Sequence, residues 1–281
     1  MIHLETGFGC NSIVLISAPR NAEEGTPRRL AEDLEHLSIS FGNFIFHHKH
    51  VASKKEIIEL FSSIHAEMKE GFRPILHFDM HGNKENGIEI GATSEFVSWK
   101  WLTNELRKLN RTTGNNLAIF ITACYGFYIL KALDYSKPCP FFIMLAPPDT
   151  ITVGDIEKSV VPFYSELMQS GSVKSARTKL CGNYEYFHSE RVFLIIFARY
   201  IREKCMGKGG RSRRERLLTE TIKEKGLPNT RLTRRQLRKG IKDFIKPKPE
   251  LMNRHMTKFL HGKKCSVTFT EVMAAVQKSN A

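Results

Sequence analysis

The sequence predicts an α/β protein with a central, mostly parallel sheet flanked by helices, and three observations lead there. Short apolar, β-rich runs alternate with longer stretches of helical period, as strands joined by crossover helices require. The runs stop abruptly at Gly, Pro or polar turns. A hydrophobic fraction of 41% and an aromatic fraction of 10% in 281 residues suit one sizeable core plus a smaller appendage.

Taken in order, residues 12–18 (SIVLISA) form a strand ending at Pro19, and 26–37 offer a helix. A second strand at 44–50 leads to Ser53-Lys54-Lys55-Glu56, whose Ser and Glu spacing is that of a capping box opening a helix to about residue 70. A third strand, 74–80 (PILHFDM), runs into His81-Gly82. After a polar turn come an edge strand at 87–91 and an amphipathic helix at 98–109. The fourth strand, 117–123 (LAIFITA), runs directly into Cys124, and 126–133 restart a helix. A fifth strand at 140–145 is stopped by Pro147-Pro148, and helices are expected at 154–169 and 191–202, the last closing the sheet. Beyond it, Gly207-Lys208-Gly209-Gly210 reads as a flexible basic hinge. Helical segments follow at 211–225, 233–245 and 250–260, split by Pro228 and by Lys246-Pro247-Lys248-Pro249. The domains expected are 1–204 and a basic helical region, 205–281.

The net charge of +14 is unevenly distributed. Residues 1–198 hold 20 Lys and Arg against 22 Asp and Glu, whereas 199–281 hold 23 against 7, so the basicity belongs to the C-terminal part. Such asymmetry points to nucleic acid or an acidic partner surface met through residues 205–264, with Arg211-Ser212-Arg213-Arg214 and 234–239 as the basic runs. A solvated helical face is the plainer reading. Few aromatics (Phe244, Phe259, Phe269) argue against a base-stacking platform.

The N-terminal Met1-Ile2-His3-Leu4-Glu5 lacks the basic and apolar regions of a leader, and no apolar run is long enough to span a bilayer. Six scattered cysteines read as reduced thiols, so a cytoplasmic protein without membrane contact is expected. No CxxC nominates zinc. His48 and His50 share one face of a strand, but no further ligand cluster accompanies them, and no metal is assigned. His77 reads as a core residue.

In open parallel sheets ligands bind beyond the carboxyl ends of the strands. His81 and Cys124 both sit there, each followed closely by glycine (His81-Gly82 and Cys124-Tyr125-Gly126), which permits a sharp turn and close approach of a substrate. A thiolate is a potent nucleophile, and an imidazole can take the thiol proton and later protonate a leaving amine. The N–H groups of Gly82 and Cys124 are the natural donors to an oxyanion.

The runs PILHFDMHG and LAIFITACYG resemble the two motifs of the clan CD cysteine peptidases, in which one apolar strand ends in His-Gly and the next core strand in Ala-Cys-x-Gly. Ala146-Pro147-Pro148-Asp149, the run VPFYSEL at 161–167, Gly171 and Ser175-Ala176 are similar to the CHAT pattern within that group. The likeness covers roughly residues 10–180. It departs where Ala146-Pro147-Pro148 replaces a Trp often found after the fifth strand, and in the spacing of the acidic residues there. The resemblance implies a caspase-like sandwich, a cysteine endopeptidase with a His81/Cys124 dyad, protein substrates, no cofactor, and a regulated effector with a regulatory or sensor partner, for instance in antiviral defence. It also implies an acidic residue in the pocket for the residue preceding the cut, with Asp149 and Asp155 as candidates and Asp79 beside them. Asp155 reads equally well as a carboxylate favoured by a helix N-terminus; Asp79 reads as a group that orients His81 or shapes the pocket, and more plainly as a strand-end carboxylate. Two rivals remain open: an inactive caspase-like scaffold whose basic tail binds nucleic acid or an acidic protein, and an unrelated hydrolase or flavodoxin-like binding domain.

Overall fold

The structure, a computed structural model, describes residues 7–20, 23, 25–42 and 44–278, the last by its backbone alone. The N-terminal residues read above for a leader lie outside the described residues. Two compact units emerge. The larger runs through Ser189 and takes back Lys258–Lys263, and the smaller comprises Glu190–Thr257 and the described residues from Lys264 onward. The division falls at 189/190 instead of the expected 204/205, so the apolar helix assigned to closing the sheet belongs, from Glu190 on, to the basic unit.

In the larger unit the strands are β1 Ser12–Ser17, β2 Ile45–His50, β3 Pro74–Asp79, β4 His81–Asn83, β5 Gly87–Ile90, β6 Glu95–Val97, β7 Ala118–Ile121, β8 Ile143–Ala146 and β9 Glu185–His188. Six form a sheet in the order β2-β1-β3-β7-β8-β9, parallel throughout except for the antiparallel β9. The others, β4-β5-β6, form a separate antiparallel sheet. The helices are α1 Gly25–Phe41, α2 Lys54–Lys69, α3 Trp99–Thr112, α4 Val153–Ser170 and the single turn α5 Val173–Ala176.

Alternation along the central strands explains why helices cover both faces. Ile13 and Leu15 of β1 and Phe120 of β7 pack with Leu30 and Leu34 of α1 and Phe163 of α4. Phe78 of β3 instead stacks on Phe61 of α2 at 6.3 Å, and Phe61 meets Trp101 of α3 edge-on. The central strands β1, β3, β7 and β8 are thus buried on both sides, which is why they read as unbroken apolar runs. At the edge, β2 (IFHHKH) is mostly exposed, and its His and Lys side chains suit a strand with one free flank. The capping box expected at the α2 N-terminus forms in part: the Ser53 hydroxyl accepts from Glu56 N at 3.3 Å, while the Glu56 carboxylate accepts from Ala52 N, one residue before the N-cap, at 2.8 Å.

The smaller unit contains α6 Ser189–Tyr200 (apart from Ser189), the π-helical segment Ile201–Cys205, α7 Gly207–Glu224, α8 Arg231–Ile245, α9 Pro249–Phe259 (through Thr257) and α10 Phe269–Lys278. Here the expected hinge is corrected: Gly207 to Gly210 open α7. Their glycines serve close packing, since a Cβ on Gly209 would lie 1.9 Å from the Glu203 carbonyl oxygen and one on Gly210 2.7 Å from that of Cys205. Among the described residues no helix is long and apolar enough to cross a membrane.

Candidate active site

The strand register brings the two chemical residues level. Phe78 of β3 pairs with Ile121 of β7, and Thr122 N continues the ladder to Phe78 O at 2.9 Å. His81 and Cys124 each lie three residues past that pair, at the carboxyl ends of adjacent parallel strands. The sheet order also reverses next to them: from β1 the chain goes outward to β2, then returns to place β3 on the other side of β1.

At His81 the chain leaves the large sheet and enters β4, which pairs antiparallel with β5. Gly82 makes that departure feasible. A Cβ there would lie 1.9 Å from the Cys124 carbonyl oxygen, so the backbones at 82 and 124 touch at a distance that excludes any side chain. Past Cys124, Tyr125 adopts the left-handed region (φ 59°, ψ 20°) and the chain winds into a 3-10 turn over Gly126–Ala132. Such a conformation costs a non-glycine residue roughly 1–2 kcal/mol. It is held by Tyr125 N donating to Asp149 O at 2.9 Å and Phe127 N donating to Pro147 O at 3.0 Å. The Tyr125 ring also sits 4.6 Å from the Lys84 ammonium.

His81 and Cys124 line one cleft of about 310 Å³, together with Asp79, Thr122 and Glu23, and with Pro19, Met80, Ile151 and Ile156 as its apolar wall. Cys124 is half-buried, and its Sγ takes the Ile151 N–H at 3.5 Å and lies 3.7 Å from Ile151 O. His81 Nε2 is 2.5 Å from Glu23 Oε2. Both side chains are well exposed, and the Glu23 carboxyl is held below the usual carboxylate range, chiefly by that hydrogen bond. Glu23 is tied to Arg20, which is itself anchored. Its N–H donates to Arg20 O at 2.8 Å, the Arg20 guanidinium forks onto the buried Glu89 of β5 at 3.0 and 2.8 Å, and Gly91 N donates to Ala18 O at 3.1 Å.

Beneath the cleft runs a buried polar chain. Tyr164 OH lies 3.3 Å from His77 Nδ1, His77 Nε2 lies 3.2 Å from Thr122 Oγ1, and that hydroxyl is 3.1 Å from Asp79 Oδ1. Burial lowers the His77 pKa to about 3, so the ring is neutral and carries one N–H. One orientation that satisfies the chain has Tyr164 donating to Nδ1, Nε2–H donating to Thr122, and the Thr122 hydroxyl donating to Asp79 Oδ1 or to Phe78 O, each at 3.1 Å. Burial also raises the Asp79 pKa, against the opposing effects of the Thr122 hydrogen bond and nearby His81.

Of the residues singled out from the sequence, the fold gathers His81, Gly82, Cys124 and Asp79. It does not bring Asp149 or Asp155 into the lining of the cleft. Asp149 is exposed and contributes its backbone carbonyl to the turn after Cys124. Asp155 caps α4, accepting from Thr152 Oγ1 at 2.7 Å while its own N–H donates back to that oxygen at 3.1 Å. Away from the cleft, His48 Nε2 is 2.8 Å from Ser17 Oγ, and no group of three or more His, Cys, Asp or Glu suited to a metal occurs among the described residues. Sequence reasoning missed Glu23, which meets His81 across 58 residues of chain with no local pattern to mark it.

No family model matches the chain, and no curated protein matches it.

Proposed function

We propose that the protein is a cysteine endopeptidase with a caspase-like arrangement, in which Cys124 is the nucleophile and His81 the general acid/base. The observation that carries this is the level placement of the two residues, three positions beyond paired residues of adjacent parallel strands, in one cleft.

The Glu23 contact sets the imidazole tautomer. An ionised carboxylate only accepts, so its 2.5 Å partner Nε2 carries the proton and Nδ1 keeps the lone pair. Nδ1 takes the Cys124 thiol proton as Sγ attacks the carbonyl carbon of the scissile peptide. The oxyanion that forms is stabilised by N–H donors at the touching backbones of Gly82 and Cys124. The imidazolium, stabilised by Glu23, gives its proton to the departing amine nitrogen as the C–N bond breaks. Water, deprotonated by the same imidazole, then hydrolyses the thioester and restores the thiol. Asp79, which lines the cleft and accepts from Thr122, is the acidic group we assign to the side chain preceding the cut. The basic helical unit, regulated activity through a partner protein, and action in a reducing cytoplasm complete the reading.

A peptide-library cleavage screen tests it. The wild-type chain should cleave a defined subset of peptides, Cys124→Ala should cleave none, and Glu23→Gln should retain cleavage at about a tenth of the rate, with its pH profile displaced. Cleavage that persists in Cys124→Ala would sink the proposal, and a folded wild-type chain inert to every peptide and to thiol-directed acyl probes would favour an inactive scaffold.

A further inference from the structure

Helix α8 of the smaller unit is unusual in what it buries and in what it displays. Of its 15 residues only Ile245 is buried, and Leu232 and Phe244 are 65% and 70% exposed. Its cations recur at Arg231, Arg234, Arg235, Arg238, Lys239 and Lys242, spacings of 0, 3, 4, 7, 8 and 11. At 3.6 residues per turn these gather into a single stripe about 140° wide. Four pairs within it (231/235, 234/238, 235/239, 238/242) are like charges one turn apart, which weakens an isolated helix. Glu215 of α7 relieves part of this repulsion: it takes Arg238 in a fork at 3.0 and 2.9 Å and lies 3.9 Å from Arg234. Arg231, Arg235, Lys239 and Lys242 make no ion pair among the described residues, and Arg231, Leu232, Arg235 and Arg238 line an open groove of about 580 Å³.

We infer that α8 is a duplex-DNA-binding helix that enters the major groove with its cationic stripe toward the phosphates. The occupant follows from shape and charge. A helix about 10–12 Å across, packed along one side through Thr233, Leu237, Ile241 and Ile245 and exposed on the side that carries most of the cations, fits the roughly 12 Å major groove of B-form DNA, and a stripe this wide reaches phosphates along the groove walls. The major groove of A-form RNA is too narrow to admit it. Single strands call for aromatic stacking platforms, whereas the one aromatic of α8, Phe244, lies well off the stripe. The inference stands apart from the catalytic reading, since it uses no residue of the cleft.

The test is fluorescence anisotropy with the full chain and a labelled duplex of about 20 base pairs, between 50 and 200 mM KCl. With four unpaired cations engaging phosphates, affinity should fall about 100-fold over that range. The double variant Arg235→Gln/Lys239→Gln should bind more weakly and lose only about 10-fold over it, while Lys55→Gln, an exposed cation on α2, should match the wild type. Circular dichroism reports whether the double variant folds; if it does not, the wild-type salt slope and the rank order of competitors decide alone. No duplex binding at 50 mM KCl, an unchanged slope in a folded double variant, or equal binding to a single strand, to polyglutamate or to anionic vesicles would each overturn the inference.

Discussion

Gly82 and Gly209 lie in different units and meet the same obstacle, a carbonyl oxygen 1.9 Å from where a Cβ would be, yet the two contacts are made in different ways. Gly82 abuts Cys124, far along the chain, because parallel strands buried on both faces fix where β3 and β7 end. Gly209 abuts Glu203, six residues earlier, because a π-helical segment and the first turn of α7 fold tightly against each other. The first approach is set by a core of large apolar side chains such as Phe78 and Phe120, each worth about 1.5–3 kcal/mol when buried. The second is local, in a unit where α7 buries only Gly210 and Leu218, and α8 only Ile245. A long-range contact held by a stiff core can carry chemistry that depends on sub-ångström placement. A short-range one holds only its own junction.

The largest effect expected from this contrast is that of Gly82→Ala. The added methyl cannot avoid the Cys124 carbonyl without moving one strand end relative to the other, and misplacement of catalytic groups by about 1 Å costs on the order of 100-fold in rate. Cleavage of the best library peptide should fall by at least that much while far-ultraviolet circular dichroism is preserved. An alanine variant cleaving within threefold of wild type would mean that the apposition of residues 82 and 124 is not what aligns the site.

Much of that alignment is legible in the sequence, because it is built from strands. The unbroken apolar runs of β1, β3 and β7 mark positions buried on both faces, and placing His81 and Cys124 at their carboxyl ends needs only that the runs stop where they do. What escapes is whatever depends on pairing across long separations or on packing that overrides propensity. β4 is three residues long and recognisable only through its partner β5, and β9 is a four-residue strand whose antiparallel direction no local pattern encodes. Glu23 carries no local pattern that marks it until the fold brings His81 to it. Gly207-Lys208-Gly209-Gly210 reads as a hinge because glycine disfavours helices by about 1 kcal/mol per residue, but here the absence of side chains is what allows α7 to start against the preceding segment.

The next effect concerns how the larger unit responds to acid. His77 lies in the core of the larger unit with its pKa lowered from 6.5 to about 3 by burial. For a base whose folded pKa is depressed, the unfolded state binds the extra proton. The stability contribution is therefore complete above about 6.5 and is lost as the pH falls toward 3. Between pH 7 and about pH 4.5 this amounts to roughly 2–3 kcal/mol. Asp79, with its pKa raised, pulls the opposite way, so the informative quantity is a difference between proteins. His77→Phe/Tyr164→Phe removes the imidazole and its phenol partner together and keeps a ring against Phe120, which stacks on His77 at 4.8 Å. Urea unfolding of the larger unit should lose about 2–3 kcal/mol less in the double variant than in wild type over that interval. Equal losses would show that His77 becomes protonated within the fold, or that water reaches it.

The smallest effect belongs to Gly209→Ala and separates the two contacts most cleanly. Its clash with Glu203 O involves backbone six residues away, so the start of α7 can loosen without any strand moving. Opening of a short, sparsely buried junction is a local event, and its signature is amide exchange confined to that junction. Exchange at residues 207–214 should quicken about tenfold in Gly209→Ala, equivalent to about 1.4 kcal/mol, while protection in β3 and β7 is unchanged. Gly82→Ala should do the reverse, exposing amides around 78–84 and 121–126 and leaving α7 as it was. If either alanine loosened both regions, the two units would share one cooperative core, and a shift at the basic helices would then be felt at Cys124.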